Sequence, residues 1–424
     1  MRCLAPRRSG GRASWRLAGA LLALSALGAG CAASGADGLS DAAADADTAT
    51  GDALADAGGE VAEALPDAAT DADAVPGDAA PDAGDTDSGP ISLQWPVDAP
   101  GPYHVGVRTW EITYQPEAWG EPRTLLLHVW YPTEDTEGEA AVYSQLFPDP
   151  DALVDATLAR PEPERKLPVL AHSHGYDGFA GNSAFLMRYF ASHGWIALAP
   201  DHTGNTIIGG LDPVPPGFDY LRSLDISASL DALESLEAPD PLAGAADTSR
   251  VVLSGHSYGG YTAWATAGVT YNMPRERLDC PDCTEAQLAV FAEGLGDPRV
   301  QAIIPMAGAI EPTQIADDGT ITVTIPVLAM SGSLDSPERY QAQFDATKAL
   351  DLRWLELEGG CHNTFGLPTC KTLPPDKGYA IIDTYALAFA RHTILADPSE
   401  TTRNILDGTT QVAPEATLRR HGGP

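Results

Sequence analysis

From residue 125 onward, short aliphatic runs alternate with longer stretches whose apolar positions recur every three or four residues. The runs are Leu125–Trp130, Pro168–Ala171, Trp195–Ala199, Arg250–Leu253, Val300–Ile304, Ile325–Met330 and Leu352–Leu357. Most are almost continuously apolar, as strands covered on both faces of a parallel sheet must be. Between them the spacing turns helical. Asn182 stands where an N-cap belongs, ahead of Phe185, Leu186, Tyr189 and Phe190, and Gly194 closes that stretch. A longer helix over about 218–236 carries Leu221, Leu224, Leu230 and Leu233, and others are predicted at Tyr258–Gly268, Pro337–Ala349 and Gly378–Leu395. The alternation predicts an α/β domain over residues 91–424, with a mostly parallel central sheet and helices on both faces. No internal repeat interrupts it.

The first ninety residues have a different pattern. Arg2, Arg7, Arg8, Arg12 and Arg16 form a basic segment, and Leu17 to Leu27 forms an apolar core too short to span a bilayer. Residues 1–30 therefore read as a signal peptide. Gly28-Ala29-Gly30 followed by Cys31 resembles the bacterial lipobox, in which that Cys is diacylated and becomes the new first residue; Leu27 stands four places before it, where the pattern prefers three. An ordinary secretory signal cut nearby is the other reading. Residues 32–90 hold twenty Ala, thirteen Asp and eight Gly, no aromatic residue and only five Leu or Val. Such a segment cannot bury enough apolar surface to offset its ordering entropy, so residues 31–90 are expected to be a disordered acidic tether. The expected location is thus outside the cytoplasm. A lipid anchor would place it at a bacterial outer membrane or cell surface; without one it would be periplasmic or secreted.

Charge narrows the partners. The chain has 25 Lys and Arg against 59 Asp and Glu, a net charge of −34. A surface this acidic repels nucleic acid and anionic head groups, which excludes nucleic-acid binding. It also disfavours strongly anionic substrates. Cysteine usage agrees with export: Cys3 and Cys31 aside, Cys280, Cys283, Cys361 and Cys370 remain, and four Cys in an exported chain read as two disulfides. Three connectivities exist, of which the local pairs 280–283 and 361–370 are preferred. A zinc site at Cys280-Pro-Asp-Cys283 would need a second ligand pair at suitable spacing, and the sequence offers none.

The candidate chemistry centres on Ser257, in Gly255-His256-Ser257-Tyr258-Gly259-Gly260. The spacing alone is weak, but here it joins a predicted buried strand to a predicted small-residue helix. In that strand–turn–helix setting a Ser projects from a tight turn whose flanking contacts admit only Gly. A serine hydroxyl needs a base to take its proton. In folds built on this strand–turn–helix elbow the order is nucleophile, acid, base, and only His362, His392 and His421 follow both Ser257 and a plausible acid. His421 lies in a frayed-looking tail and His392 inside a helix, whereas His362 falls on a loop after the last predicted strand, beside Cys361. Asp335, just after Ile325–Met330, is the expected acid, orienting the imidazole and stabilising its charged form; Glu311, after the preceding strand, is the alternative. The N–H groups of Tyr258, after the nucleophile, and of Tyr176, in the loop His172-Ser173-His174-Gly175-Tyr176, are the expected oxyanion donors. Because the imidazole must be neutral to accept a proton, activity should fall on the acid side of neutrality.

These pieces, with Gly101-Pro102-Tyr103, Val105-Gly106-Val107-Arg108, Val129-Trp130-Tyr131-Pro132, Ala199-Pro200-Asp201-His202 and Asp297-Pro298-Arg299-Val300, resemble the α/β-hydrolase superfamily over about residues 100–395. The resemblance is to the branch holding platelet-activating-factor acetylhydrolases, dienelactone hydrolases and bacterial polyester hydrolases. It implies a serine carboxylic-ester hydrolase without metal or organic cofactor, acting as a monomer on a small-molecule or lipid ester. In the plasma acetylhydrolases the acid follows the earlier strand, where this chain has Met306-Ala307-Gly308; Asp335 matches the dienelactone and polyester enzymes instead. The polyester enzymes typically carry Met where this chain has Tyr258.

Two other classes remain open. His172-Ser173-His174 with Asp177, and Asp201-His202 beyond, faintly resembles the H-x-H-x-D-H signature of dinuclear zinc hydrolases, but Asp177 is one place too far and Gly178 stands where a His is needed. A non-catalytic binding module on the same fold would usually lack part of the triad. Residues 203–217, with Pro213, Pro215 and Pro216, and 269–296 are expected to line the cleft.

Overall fold

The computed structural model describes residues 93–421, except 161, 163, 211–213, 316–320, 322 and 368–369. The signal segment, the tether, Cys31 and Pro213 lie outside the described residues. In chain order the elements are β1 (His104–Tyr114), β2 (Arg123–Thr133), β3 (Ala140–Tyr143), β4 (Phe147–Val154), β5 (Leu167–Ser173), α1 (Ala184–Ser192), β6 (Ile196–Asp201), α2 (Phe218–Glu234) and β7 (Ala246–His256). They continue with α3 (Tyr258–Thr266), α4 (Met273–Asp279), α5 (Glu285–Glu293), β8 (Val300–Met306), β9 (Val327–Gly332), α6 (Pro337–Ala346), β10 (Leu352–Leu357), α7 (Pro375–Leu395), α8 (Glu400–Leu406) and β11 (Ala416–Arg420).

The eleven strands among the described residues form one sheet, ordered β11-β10-β9-β8-β7-β5-β6-β2-β1-β4-β3. From β10 through β6 every pairing is parallel. At one side β2 runs antiparallel to both β6 and β1, and at the other β11 runs antiparallel to β10. Apolar side chains alternate across the central strands, and the two faces make two cores. Val169, Ala171, Val251, Leu253, Ile303 and Val327 pack with Leu221 and Leu230 of α2 and Trp264 of α3. Leu170, Val252, Ala302, Ile304 and Leu328 pack with Phe190 of α1 and Ile382 and Phe389 of α7. Both faces being covered is why these strands read as unbroken apolar runs. Each fully buried Leu or Ile contributes about 1.5–3 kcal/mol.

Several expectations need correction. Asn182 is not a cap: it lies inside a 3-10 turn, Ala180–Ser183, ahead of α1. Its amide instead sits 3.2 Å from the backbone N and O of Leu367. Gly194 does close the helix, with φ of +80°. The helix predicted to reach Ala349 stops at Ala346. The tail holding His421 is not frayed, since β11 pairs along β10 and the His421 N–H donates to Leu352 at 3.0 Å. Residues 269–296 contain two short helices, α4 and α5. The α5 start has a capping box in which Thr284 and Gln287 bond reciprocally.

Both local disulfides form, Cys280–Cys283 and Cys361–Cys370, with Cα separations of 5.3 and 6.1 Å. Among the described residues no helix is long and apolar enough to cross a membrane.

Candidate active site

Ser257 is the single residue between β7 and α3, with φ of +55° and ψ of −118°. A non-glycine residue held there stores strain of about 1–3 kcal/mol, and the surrounding structure must enforce it. The flanking glycines explain how. A Cβ at Gly255 would lie 2.0 Å from the Gly259 carbonyl oxygen, and one at Gly259 would lie 1.8 Å from that of Ser173. The turn can therefore press against β5 only with Gly at these places. The Ser257 N–H donates to Met306 at 2.9 Å, and its carbonyl accepts from Gly260 at 2.8 Å, which starts α3.

His362 sits in a 3-10 turn, His362–Phe365, after β10. Its Nε2 lies 2.8 Å from Ser257 Oγ and its Nδ1 lies 3.0 Å from Asp335 Oδ2. Asp335 occupies the turn after β9, with its N–H donating to Gly332 at 3.1 Å. Its Oδ2 also accepts from the Tyr340 hydroxyl at 2.8 Å. Burial pushes the Asp335 carboxyl up, but the hydrogen bond and charge of His362 and the Tyr340 hydroxyl outweigh it, so it is held below the usual carboxylate range. Three residues from three loops thus meet in a line.

The remaining candidates are engaged elsewhere. Glu311 pairs with Arg339 at 2.6 Å. His421 stacks on Phe344 with ring centroids 3.8 Å apart, and His392 lies in the last turn of α7. His172 bonds through Nδ1 to Ser254 Oγ at 2.9 Å, and Asp177 accepts from Asn205 at 3.2 Å. Among the described residues no three His, Cys, Asp or Glu side chains are grouped to hold a metal ion.

Gly175 rests against Ser257: a Cβ built there would stand 3.3 Å from Ser257 Cβ. Tyr176, next along, is about half exposed, at 49%, and its ring lies 6.1 Å from that of Tyr258. The Tyr258 hydroxyl donates to Asp219 at the start of α2. The two segments expected to flank the cleft do touch, with Gln287 Nε2 donating to Pro216 at 3.2 Å.

Sequence reasoning missed His256 and a buried polar cluster. His256 Nε2 donates to the His362 carbonyl at 2.9 Å, fixing the loop that carries the imidazole; burial, with the charge of His362 adding to it, pushes His256 down to about 4. On α2, Arg222, Ser223, Asp225 and Ser229 are all buried beside the leucines. Asp225 accepts from Arg123 at 2.6 and 2.8 Å, from Tyr114 at 2.6 Å and from His202 at 2.8 Å. The available signal was Arg222 and Asp225 interrupting the leucine face of a predicted helix.

With this geometry in view, the chain matches the family described as "Alpha/beta hydrolase family" over residues 169–411, more than half its length, and it belongs to that family. Among solved structures it is similar to a ferulic acid esterase from Streptomyces cinnamoneus, with a TM-score of 0.54 and 22% identity, covering 76% of this chain and 99% of that one. At that identity the likeness shows the shared fold. No curated protein matches the chain.

Proposed function

We propose that this protein is a serine carboxylic-ester hydrolase that works through an acyl-enzyme. The observation that carries the reading is the line from Ser257 Oγ through His362 to Asp335, at 2.8 and 3.0 Å, built on a strained elbow. Ser257 Oγ attacks the ester carbonyl carbon while His362 Nε2 takes its proton, and Asp335 holds the imidazole through Nδ1–H. The carbonyl oxygen becomes an alkoxide facing the N–H groups of Tyr258 and Tyr176. The alkoxide collapses, the C–O bond to the alcohol breaks, and His362 returns the proton to the departing alkoxy oxygen. A water deprotonated by His362 then attacks the acyl-enzyme, releasing the acid and restoring Ser257.

The substrates we propose are esters with short to medium acyl chains, acetylated lipids included. A second reading, aromatic acyl esters, is favoured by the Tyr176–Tyr258 pair and by the ferulic acid esterase neighbour. We further propose that the protein acts as a monomer outside the cytoplasm, anchored through Cys31 and held off the membrane by residues 31–90. The test is hydrolysis of p-nitrophenyl esters with two to sixteen acyl carbons, and of methyl ferulate, by the protein and its Ser257→Ala variant. A Ser257-dependent rate peaking at two to six carbons supports the first reading, and preference for the ferulate supports the second. Retention of more than a few per cent of activity in Ser257→Ala refutes the mechanism.

A further inference from the structure

The loop bearing Tyr176 is tied on both sides to one buried cation. Arg222 of α2 is fully buried, at 0% exposure, and no carboxylate among the described residues pairs with it. Its guanidinium is instead spent on the backbone and neutral side chains around the oxyanion loop. Nη2 donates to the His174 carbonyl and, at 3.1 Å, to Ser173 Oγ. Nη1 donates to Asn205 Oδ1 at 2.8 Å, and Nε to Thr262 Oγ1 of α3 at 3.1 Å. The same guanidinium stands 4.4 Å from the centroid of the Tyr258 ring. Asn205 continues the link, its Nδ2 donating to Asp177 Oδ1 at 3.2 Å, and Asp177 is held at φ of +49° immediately after Tyr176.

His174 completes the clamp from the other side. Its Nε2 accepts the backbone N–H of His202 at 3.0 Å, so the ring proton must sit on Nδ1, which donates to the Gly175 carbonyl at 2.7 Å. That carbonyl also accepts from Gly178 N–H at 3.1 Å. A trans peptide is planar, with its N–H opposite its C=O. Fixing the Gly175 oxygen on the His174 side therefore fixes the direction of the Tyr176 N–H, on the opposite edge of the same peptide. Burial, reinforced by the charges of His202 and Arg222, keeps His174 neutral, the form this arrangement needs.

We infer that Arg222 and His174 are positioning residues for the oxyanion site: His174 sets the plane of the Gly175–Tyr176 peptide, and Arg222 locks the loop on either side of it. This rests on the reading of Ser257 as nucleophile and Tyr176 N–H as an oxyanion donor. Asp225 and Asp219 act on the Arg222 charge through space without pairing with it directly, so its hold on the loop is through its hydrogen bonds.

The test compares His174→Phe, His174→Asn and Arg222→Met in the full chain, with Ser257→Ala alongside. His174→Asn keeps an N–H donor near the Nδ1 position, and His174→Phe does not. For each, kcat and KM on p-nitrophenyl butyrate, inhibition by a butyl trifluoromethyl ketone and the thermal midpoint are measured. The ketone forms an alkoxide with the nucleophile and so reports oxyanion binding directly. His174→Phe and Arg222→Met should lower kcat about ten- to hundredfold, short of the 10²–10³ for complete loss of a donor. KM should change less than about twofold, ketone affinity should fall in parallel with kcat, and His174→Asn should recover most of the loss. If Arg222→Met does not fold, Asn205→Ala, which cuts only the arm to Asp177, takes its place with the same expected pattern. Equal kcat in His174→Phe and the parent, or losses that follow the thermal midpoint without weakening the ketone, would overturn the inference. Activity surviving in Ser257→Ala would instead overturn the underlying mechanism.

Discussion

Replacing Cys361 and Cys370 together by Ser removes the covalent closure of the loop that carries His362. The bridge spans a sequence separation of 9, so it closes a loop of about ten residues. Chain-entropy closure of a loop that short constrains the unfolded state by about 2.5 kcal/mol. For a domain of roughly 330 residues, with an unfolding entropy of about 2 cal/mol/K per residue, that is a fall in the thermal midpoint of about 3–4 °C. The effect on catalysis should be much smaller, because the loop has other anchors. His256 holds the His362 carbonyl, Ser183 Oγ donates to the Phe365 carbonyl at 2.8 Å, and the Phe365 ring is fully buried in the core. With those in place the imidazole should stay on Ser257, and kcat should change by less than about threefold, or about 0.7 kcal/mol. Calorimetric melting of the parent and the double variant, with ester turnover measured well below either midpoint, separates the two effects. A midpoint shift under about 1 °C would refute the loop-closure argument. A hundredfold loss of kcat with an unchanged midpoint would show that the bridge positions the base and that the other anchors do not.

Asp335→Asn should lower kcat by about 10⁴-fold with little change in KM, because the amide no longer holds the imidazole in the productive tautomer; a loss under tenfold on p-nitrophenyl esters would sink its proposed role. Glu276 in α4 gives a stability prediction with a defined direction. Burial, then the charges of Asp219 and Asp279, push its carboxyl up to about 8, against partial relief from Arg275. Between about pH 4.5 and 8 the unfolded chain releases this proton while the folded one keeps it, so stability falls as pH rises across that window, by about 3–5 kcal/mol in all. Glu276→Gln should flatten that slope in urea titrations from pH 5 to 9, and parallel curves for parent and variant would contradict the account. Asp225 works the other way: burial pushes it up, but the Arg123 and His202 hydrogen bonds outweigh that and hold it down at about 2. Its contribution is complete above about pH 4 and is lost as pH falls through about 2. Asp225→Ala should cost about 3–5 kcal/mol by stranding the Arg123 charge, and denaturant unfolding showing less than 1 kcal/mol would remove that pair from the explanation of stability.

The strands called from the sequence are those in the sheet's interior and β2 beside it, where both faces are buried and Val252 or Leu328 has no exposed neighbour to break the run. The outer strands β1, β3, β4 and β11 escaped. β1 alternates half-buried and exposed positions along Arg108–Glu111, and β11, Ala-Thr-Leu-Arg-Arg, is too short and polar to show an apolar run. Their pairing partners decide them. The capping role given to Asn182 failed for a related reason: a backbone 185 residues away, at Leu367, offered its amide two bonds where the helix start offered one.

The elbow of the candidate site was legible because it is written in adjacent residues. A Gly at each side of Ser257 is forced by contacts within the turn and with β5. The order of Ser257, Asp335 and His362 is the one the hydrolase resemblance implies, each placed after a predicted strand. The short Cys spacings favour local pairs because short loops are the easiest to close. What only the tertiary structure decided is the meeting of groups far apart along the chain. Arg222 reaches His174, Asn205 and Thr262 from α2, and His256 reaches the carbonyl of His362. A helix face read from leucines alone gives no warning that a charge on that face will be buried, because its partners are set by how the sheet stacks β5, β6 and β7 side by side. Period and spacing report what a residue does to its neighbours in sequence; convergence across a parallel sheet is a property of the packed chain.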